Sequence, residues 1–135
     1  MPDLLQVAGM EFIPFYMASI DLAALCRQDG VTAYWDVHDY NAVLTVNMCH
    51  RSGLRVPDDL SVVGRHDTPW ARECHPPLTT VSINPRAVAA EITAALGEPH
   101  EAEEALRRRV RLVPPRLVVR GSSGRARPER ASAGS

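Results

Sequence analysis

An α/β fold, a parallel sheet flanked by helices, is predicted for this chain by three observations. Short apolar, β-branched runs alternate with stretches of helical spacing. One of those runs, Leu60 to Gly64 (LSVVG), is almost continuously apolar, as strands covered on both faces are. Gly, Pro and Asp clusters punctuate the boundaries, and strand–helix–strand order favours parallel pairing through right-handed crossovers. At 135 residues, 45% of them hydrophobic and 23% charged, the chain suits one domain with a real core.

Ile20 to Arg27 reads as the end of a helix, stopped by Asp29-Gly30. Val31 to Val37 (VTAYWDV) is β-branched and aromatic, hence a strand, and alternation places Trp35 in the core. Tyr40 to Arg51 carries Ala42, Val43, Val46 and Cys49 at helical spacing, and Ser52-Gly53 closes it. Val56-Pro57-Asp58-Asp59 is turn chemistry leading into the strand Leu60 to Gly64. Leu78 to Ile83 is a further extended run. Asn84-Pro85 then starts a helix, with Asn as cap and Pro in the first turn, and alanine-rich sequence carries it to Leu96 before Gly97-Glu98-Pro99. Glu101 to Arg109 reads as a short helix or ordered loop. Val110 to Val113 and Leu117 to Val119 read as two short strands split by Pro114-Pro115. Residues 1–121 form the expected domain. From 122 to 135 the chain is Gly, Ser, Ala, Arg, Pro and one Glu, too poor in apolar surface to offset its ordering entropy, and a disordered tail is expected.

A net charge of -1 gives no general attraction to nucleic acid. The basic residues are all arginine and cluster late, around Arg107 to Arg111, but Glu101, Glu103 and Glu104 precede that cluster and offset it on a solvated face. No apolar run is long enough to span a membrane, and the N-terminus lacks the basic start and apolar core of a secretory signal, so a cytoplasmic location is expected. Cys26, Cys49 and Cys74 have no close pair spacing and read as free thiols. Cys49-His50 and Cys74-His75 lack the paired spacing of zinc sites, so no metal is expected. No nucleophile context and no G-x-G-x-x-G is present, which argues against catalysis and against a dinucleotide cofactor.

Open parallel sheets bind ligands at the carboxyl ends of their strands. Two polar pairs stand there: His38-Asp39 after the strand 31–37, and His66-Asp67 after the strand 60–64.

The run from Gly53 through Val56 to Asp59, Ser61 to Gly64, Asp67 and Pro76 to Val81 is similar to a signature of LacI/GalR-type transcriptional regulators. Thr32-Ala33 and His38-Asp39 upstream, and the closing stretch from Leu117 to Ser122 (LVVRGS), extend the resemblance in order and spacing over 31–122. It implies a partial periplasmic-binding-protein-like (type I) fold, mainly one lobe, serving as an effector-binding domain. The helix-turn-helix head of such regulators is not found in these 135 residues, so a truncated form is expected, touching DNA only through a head it lacks. The helix 85–96 would, by the resemblance, pack on the other lobe, which leaves its apolar side without a partner.

The resemblance assigns effector contacts to the polar residues after the two strands. His38 falls where the family has Asn, and His66 where it has the first of two Asp residues. Asp39 and Asp67 match the second members, and Arg65 replaces an aromatic. Carboxylates and amides pair well with sugar hydroxyls, whereas histidines and an arginine also suit a carboxylate or phosphate. The expected partner is therefore a small-molecule effector, a sugar or an anionic metabolite, bound by His38, Asp39, Arg65, His66, Asp67 and Trp70. Asp39 precedes a helix, and its main role is expected to be that helix's N-cap rather than direct contact. By the same resemblance Val43, Val46, Asn47, His50 and Trp70 would form a dimer interface, with an identical chain or with a related regulator. A headless interaction module is the alternative.

Overall fold

The computed structural model describes residues 21–97 and 110–126. The expectation for Glu101 to Arg109 lies outside the described residues, as does the tail from 127 onward. Within them the elements run α1 (Leu22–Arg27), β1 (Ala33–Trp35), α2 (Asp39–Arg51), β2 (Ser61–Arg65), α3 (Pro69–Glu73), β3 (Thr79–Ser82), α4 (Pro85–Leu96) and β4 (Arg116–Val118).

The sheet has the order β1-β2-β3-β4. β1, β2 and β3 are parallel, as the alternation of strands and helices requires, and β4 returns antiparallel beside β3. The register places Tyr34 beside Val62 and Gly64 beside Thr80, so these residues share one face. The core lies on that side: Val62 and Leu78 from the sheet region pack with Ala42, Val46 and Cys49 of α2, Leu22 of α1 and Ala71 of α3. Burial pushes the Cys49 thiol up to about 11, so it serves as a small apolar side chain. Asp21 starts α1 by accepting the Ala24 amide at 2.9 Å.

Several elements differ from the sequence expectation. β1 is only three residues long, and Trp35 is 52% exposed rather than buried. Its side chain shares the opposite face with Ala33, and the alternation Ala33 out, Tyr34 in, Trp35 out is what period two gives on a strand with one covered face. Val110 to Val113 is irregular, because the strand pairing beside β3 begins only after the two prolines. Asn84 does precede α4, but in a left-handed conformation (φ 55°) and without a side-chain cap bond. No residue of α4 is buried, and Leu96 is 81% exposed.

Ordered chain also continues past Gly121. Ser122 is wholly buried between the starts of β2 and β3. Its hydroxyl donates to the Val62 carbonyl at 2.6 Å and accepts the Thr79 amide at 2.8 Å, while its carbonyl accepts the Val62 amide at 2.8 Å. Gly124 adds an amide bond to the Ser61 hydroxyl at 3.1 Å. A residue that satisfies three strand groups is part of the sheet, whatever its neighbours' composition.

Candidate functional site

β1 and β2 run parallel, so the segments that leave their carboxyl ends emerge side by side. Asp36 follows β1 directly and is buried. Its carboxylate accepts the Tyr34 hydroxyl at 3.0 Å, the His38 amide at 2.9 Å and the Asn41 side-chain amide at 3.4 Å. This fixes the turn that presents His38 at the N-cap of α2. Burial first, and the Asp36 carboxylate second, push the Tyr34 phenol above its ordinary value, so it stays a donor.

At the end of β2 the backbone takes positive φ at two consecutive non-glycine residues, His66 (107°) and Asp67 (59°). Such conformations cost of order 1–3 kcal/mol and persist only where surroundings hold them. Here the His66 amide bonds the Val81 carbonyl at 2.9 Å, and Asp67 is gripped by two arginines. Arg120, from the closing segment after β4, reaches its carboxylate at 2.5 Å and Arg72 of α3 at 3.3 Å. Burial would raise the Asp67 carboxyl, but the Arg120 and then the Arg72 hydrogen bonds and charges outweigh it and hold it below its ordinary value.

The kink brings His66 against His38. The two imidazole rings stack with centroids 5.2 Å apart and planes 17° from parallel. They stand in the wall of a depression of about 350 Å³, lined also by Asp39, Tyr40, Asn41, Thr68 and Trp70.

Asp39 is 1% exposed. One carboxylate oxygen accepts both the amide (2.7 Å) and the hydroxyl (2.9 Å) of Thr68, and the other accepts the Thr80 hydroxyl at 2.5 Å. It approaches this closely because residue 64 is glycine. A Cβ there would collide with the Asp39 carboxylate and lie 2.8 Å from Leu78. The helix cap expected of Asp39 is therefore corrected: His38 holds the cap position, and Asp39, one residue inside α2, ties that helix to the loop after β2 and to β3.

Of the residues expected at the effector site, His38, Asp39, His66 and Trp70 line the depression. Arg65 is exposed at the end of β2, and Asp67 faces its arginines instead. Of those expected at an interface, Val46 is corrected: it is fully buried in the core, because it lies on the face of α2 that covers the sheet. Val43 is half-buried, Asn47 and His50 are exposed, and Trp70 is 59% exposed on α3. Sequence reasoning missed Asp36, Asn41, Thr68, Thr80 and Arg120. Arg120, inside the closing LVVRGS stretch, and Thr80, inside the Pro76 to Val81 run, lay in the stretches that carry the resemblance; Asp36, Asn41 and Thr68 carried no signal, since the contacts they make depend on how the segments meet. Among the described residues no cluster of three or more His, Cys, Asp or Glu is placed to hold a metal ion, and no helix is long and apolar enough to cross a membrane.

The periplasmic binding protein-like domain family matches residues 16–123 of this chain. The transcriptional regulator DegA of Bacillus subtilis (strain 168) is 31% identical over 99 residues, covering 73% of this chain. A LacI family transcriptional regulator from Lactobacillus casei, solved with bound glucose, is 32% identical with a TM-score of 0.51, over 68% of this chain and 32% of that one. The lac repressor dimer bound to operator and the anti-inducer ONPF gives a TM-score of 0.64 at 25% identity, over 88% of this chain and 44% of that one. The chain spans 29% of the length of DegA.

Proposed function

The chain belongs to the periplasmic-binding-protein-like effector domains of LacI-type transcriptional regulators, and from that footing we propose that it is a ligand-sensing portion of such a regulator. The ligand is a small polar metabolite, a sugar or sugar derivative, held where the carboxyl ends of β1 and β2 meet. The observation that carries the reading is the depression at His38 and His66, which lies at the strand ends where open parallel sheets place ligands. A glucose-bound relative of the same fold supports a polar effector. The chain supplies one wall, so full enclosure of a ligand needs a second lobe. Its role is binding, with no catalysis, in the cytoplasm.

The exposed side of α2, with Val43, Asn47 and His50, and Trp70 of α3 form the surface through which it pairs with a second copy or a related regulator. Ligand-dependent closure would then shift the dimer between states of different affinity for DNA, which is bound through a separate head. A second reading, a module that only pairs with full-length relatives, draws on the same surface.

A thermal-shift screen of sugars, sugar phosphates and organic acids tests the sensing reading. Stabilisation by a member of the panel, lost in His66→Ala, is the expected result. Stabilisation that survives His66→Ala unchanged removes the site. Co-expression with a full-length relative tests the second reading, and recovery of a mixed dimer without any ligand response favours it.

A further inference from the structure

The proposed effector site is short of free carboxylates. Three of them stand at the ends of β1 and β2, and each is already occupied by protein donors. Asp36 holds Tyr34, Asn41 and the His38 amide. Asp39 is sealed by Thr68 and Thr80. Asp67 is gripped by Arg120 and Arg72. A sugar is recognised chiefly through acceptors and donors set against its paired hydroxyls, and with these carboxylates taken the acceptors left in the lining are neutral ones, the Tyr40 hydroxyl and the Asn41 side-chain carbonyl.

What remains open in the depression offers donors and no free carboxylate. Among the described residues, neither the His38 nor the His66 ring has a hydrogen bond, and the Trp70 indole, a donor only, is exposed. Arg65 adds an exposed positive charge directly before His66. The histidine rings stand 5.2 Å apart and nearly parallel. Side by side on one wall of the depression, the two rings can each turn an N–H to an anion lying at its mouth.

Resting on the effector-site reading above, we propose that the stacked His38–His66 pair is an oxyanion clamp, and that the effector carries a phosphate or carboxylate group which it grips. Glucose 6-phosphate and succinate represent the two sources of that group. Neighbouring residues hold the clamp: Asp36 sets the His38 turn, and Asp67 with Arg120 sets the kink at His66.

The test is nuclear magnetic resonance of the imidazole signals of the full chain, titrated at matched ionic strength. The four probes are inorganic phosphate, glucose 6-phosphate, succinate and glucose. The clamp predicts saturable shifts of the His38 and His66 signals together with at least one anionic probe. It also predicts affinity weakened about tenfold or more in His38→Gln and in His66→Asn. Response to the phosphates alone assigns a phosphate group, and response to succinate as well assigns a general oxyanion site. Asn is chosen at 66 because it tolerates positive φ better than most residues. Should that variant fail to fold, the exposed position 38 still decides. If glucose moves both signals and no anion does, the clamp is overturned while the polar-effector reading stands. If no probe moves them, both fall. Anion binding that neither substitution weakens is adventitious and also overturns the clamp.

Discussion

The Asp39 carboxylate on α2 accepts the Thr80 hydroxyl of β3 at 2.5 Å across the space left by Gly64, with both partners essentially buried. Through Thr68 the same carboxylate also holds the loop after β2, so one side chain fixes the mutual position of three strand ends. Removing it leaves a buried hydroxyl and a loop amide without an acceptor. Asp39→Ala is expected to lower stability by about 2–4 kcal/mol, since each unsatisfied group costs about 1–3 kcal/mol. Urea unfolding followed by circular dichroism measures this, and a loss under about 0.5 kcal/mol, the range of ordinary surface changes, contradicts the role.

Gly64 is required for space, not for backbone conformation. A methyl group there collides with Asp39 and lies 2.8 Å from Leu78. Gly64→Ala is expected to cost about 1–3 kcal/mol by overpacking. In the double variant Gly64→Ala/Asp39→Ala the two losses should be less than additive, because the second substitution removes the clash with the carboxylate and leaves only the one with Leu78. A double-mutant cycle reads this directly.

The Asp67–Arg120 pair makes stability depend on pH at the acid end. The Asp67 carboxyl is held below its ordinary value of 3.8, so the unfolded chain binds the proton more readily than the folded one. The contribution is therefore fully present above the unfolded value and is lost as pH falls through the lower folded value. Stability of the parent protein minus that of Asp67→Asn should be constant above about pH 5 and shrink below about 3.9. A difference that grows on acidification contradicts the ion pairing.

Ser122 bonds three groups of β2 and β3. Ser122→Ala strands the Thr79 amide and should cost about 1–3 kcal/mol. Truncation after Gly121 should cost more, and Asp29→Ala, a surface change, little. Equilibrium unfolding of the three variants ranks them.

Much of this was legible in the sequence. The LSVVG run fixed β2 and the core position of Val62, and the helical spacing of Ala42, Val46 and Cys49 defined the covered face of α2. The positions of His38 and His66 after parallel strands placed them near one another. Their stacking was not legible, because it depends on the positive φ at 66 and 67, which no residue type there announces. Asp39 and Asp67 read as ligand residues in one dimension. In three dimensions their carboxylates are consumed by Thr80 and by Arg120, residues 41 and 53 positions away along the chain. Trp35 read as core because alternation gives a period and not a side; among the described residues the face of β1 that carries Ala33 and Trp35 is the open one. Ser122 was hidden in a stretch of disorder-prone composition, where one buried side chain outweighs its neighbours.

The central claim is that the depression beside His38 and His66 receives the effector. The protein has two tryptophans, and only Trp70 lines that depression. In a Trp35→Phe variant, whose substitution lies on the exposed face of β1, the emission of Trp70 alone reports on the site. Any small molecule that raises the melting temperature should change this emission saturably, with the same dissociation constant as the thermal shift. A stabilising ligand that leaves Trp70 emission unchanged at saturation would place the binding elsewhere and contradict the account.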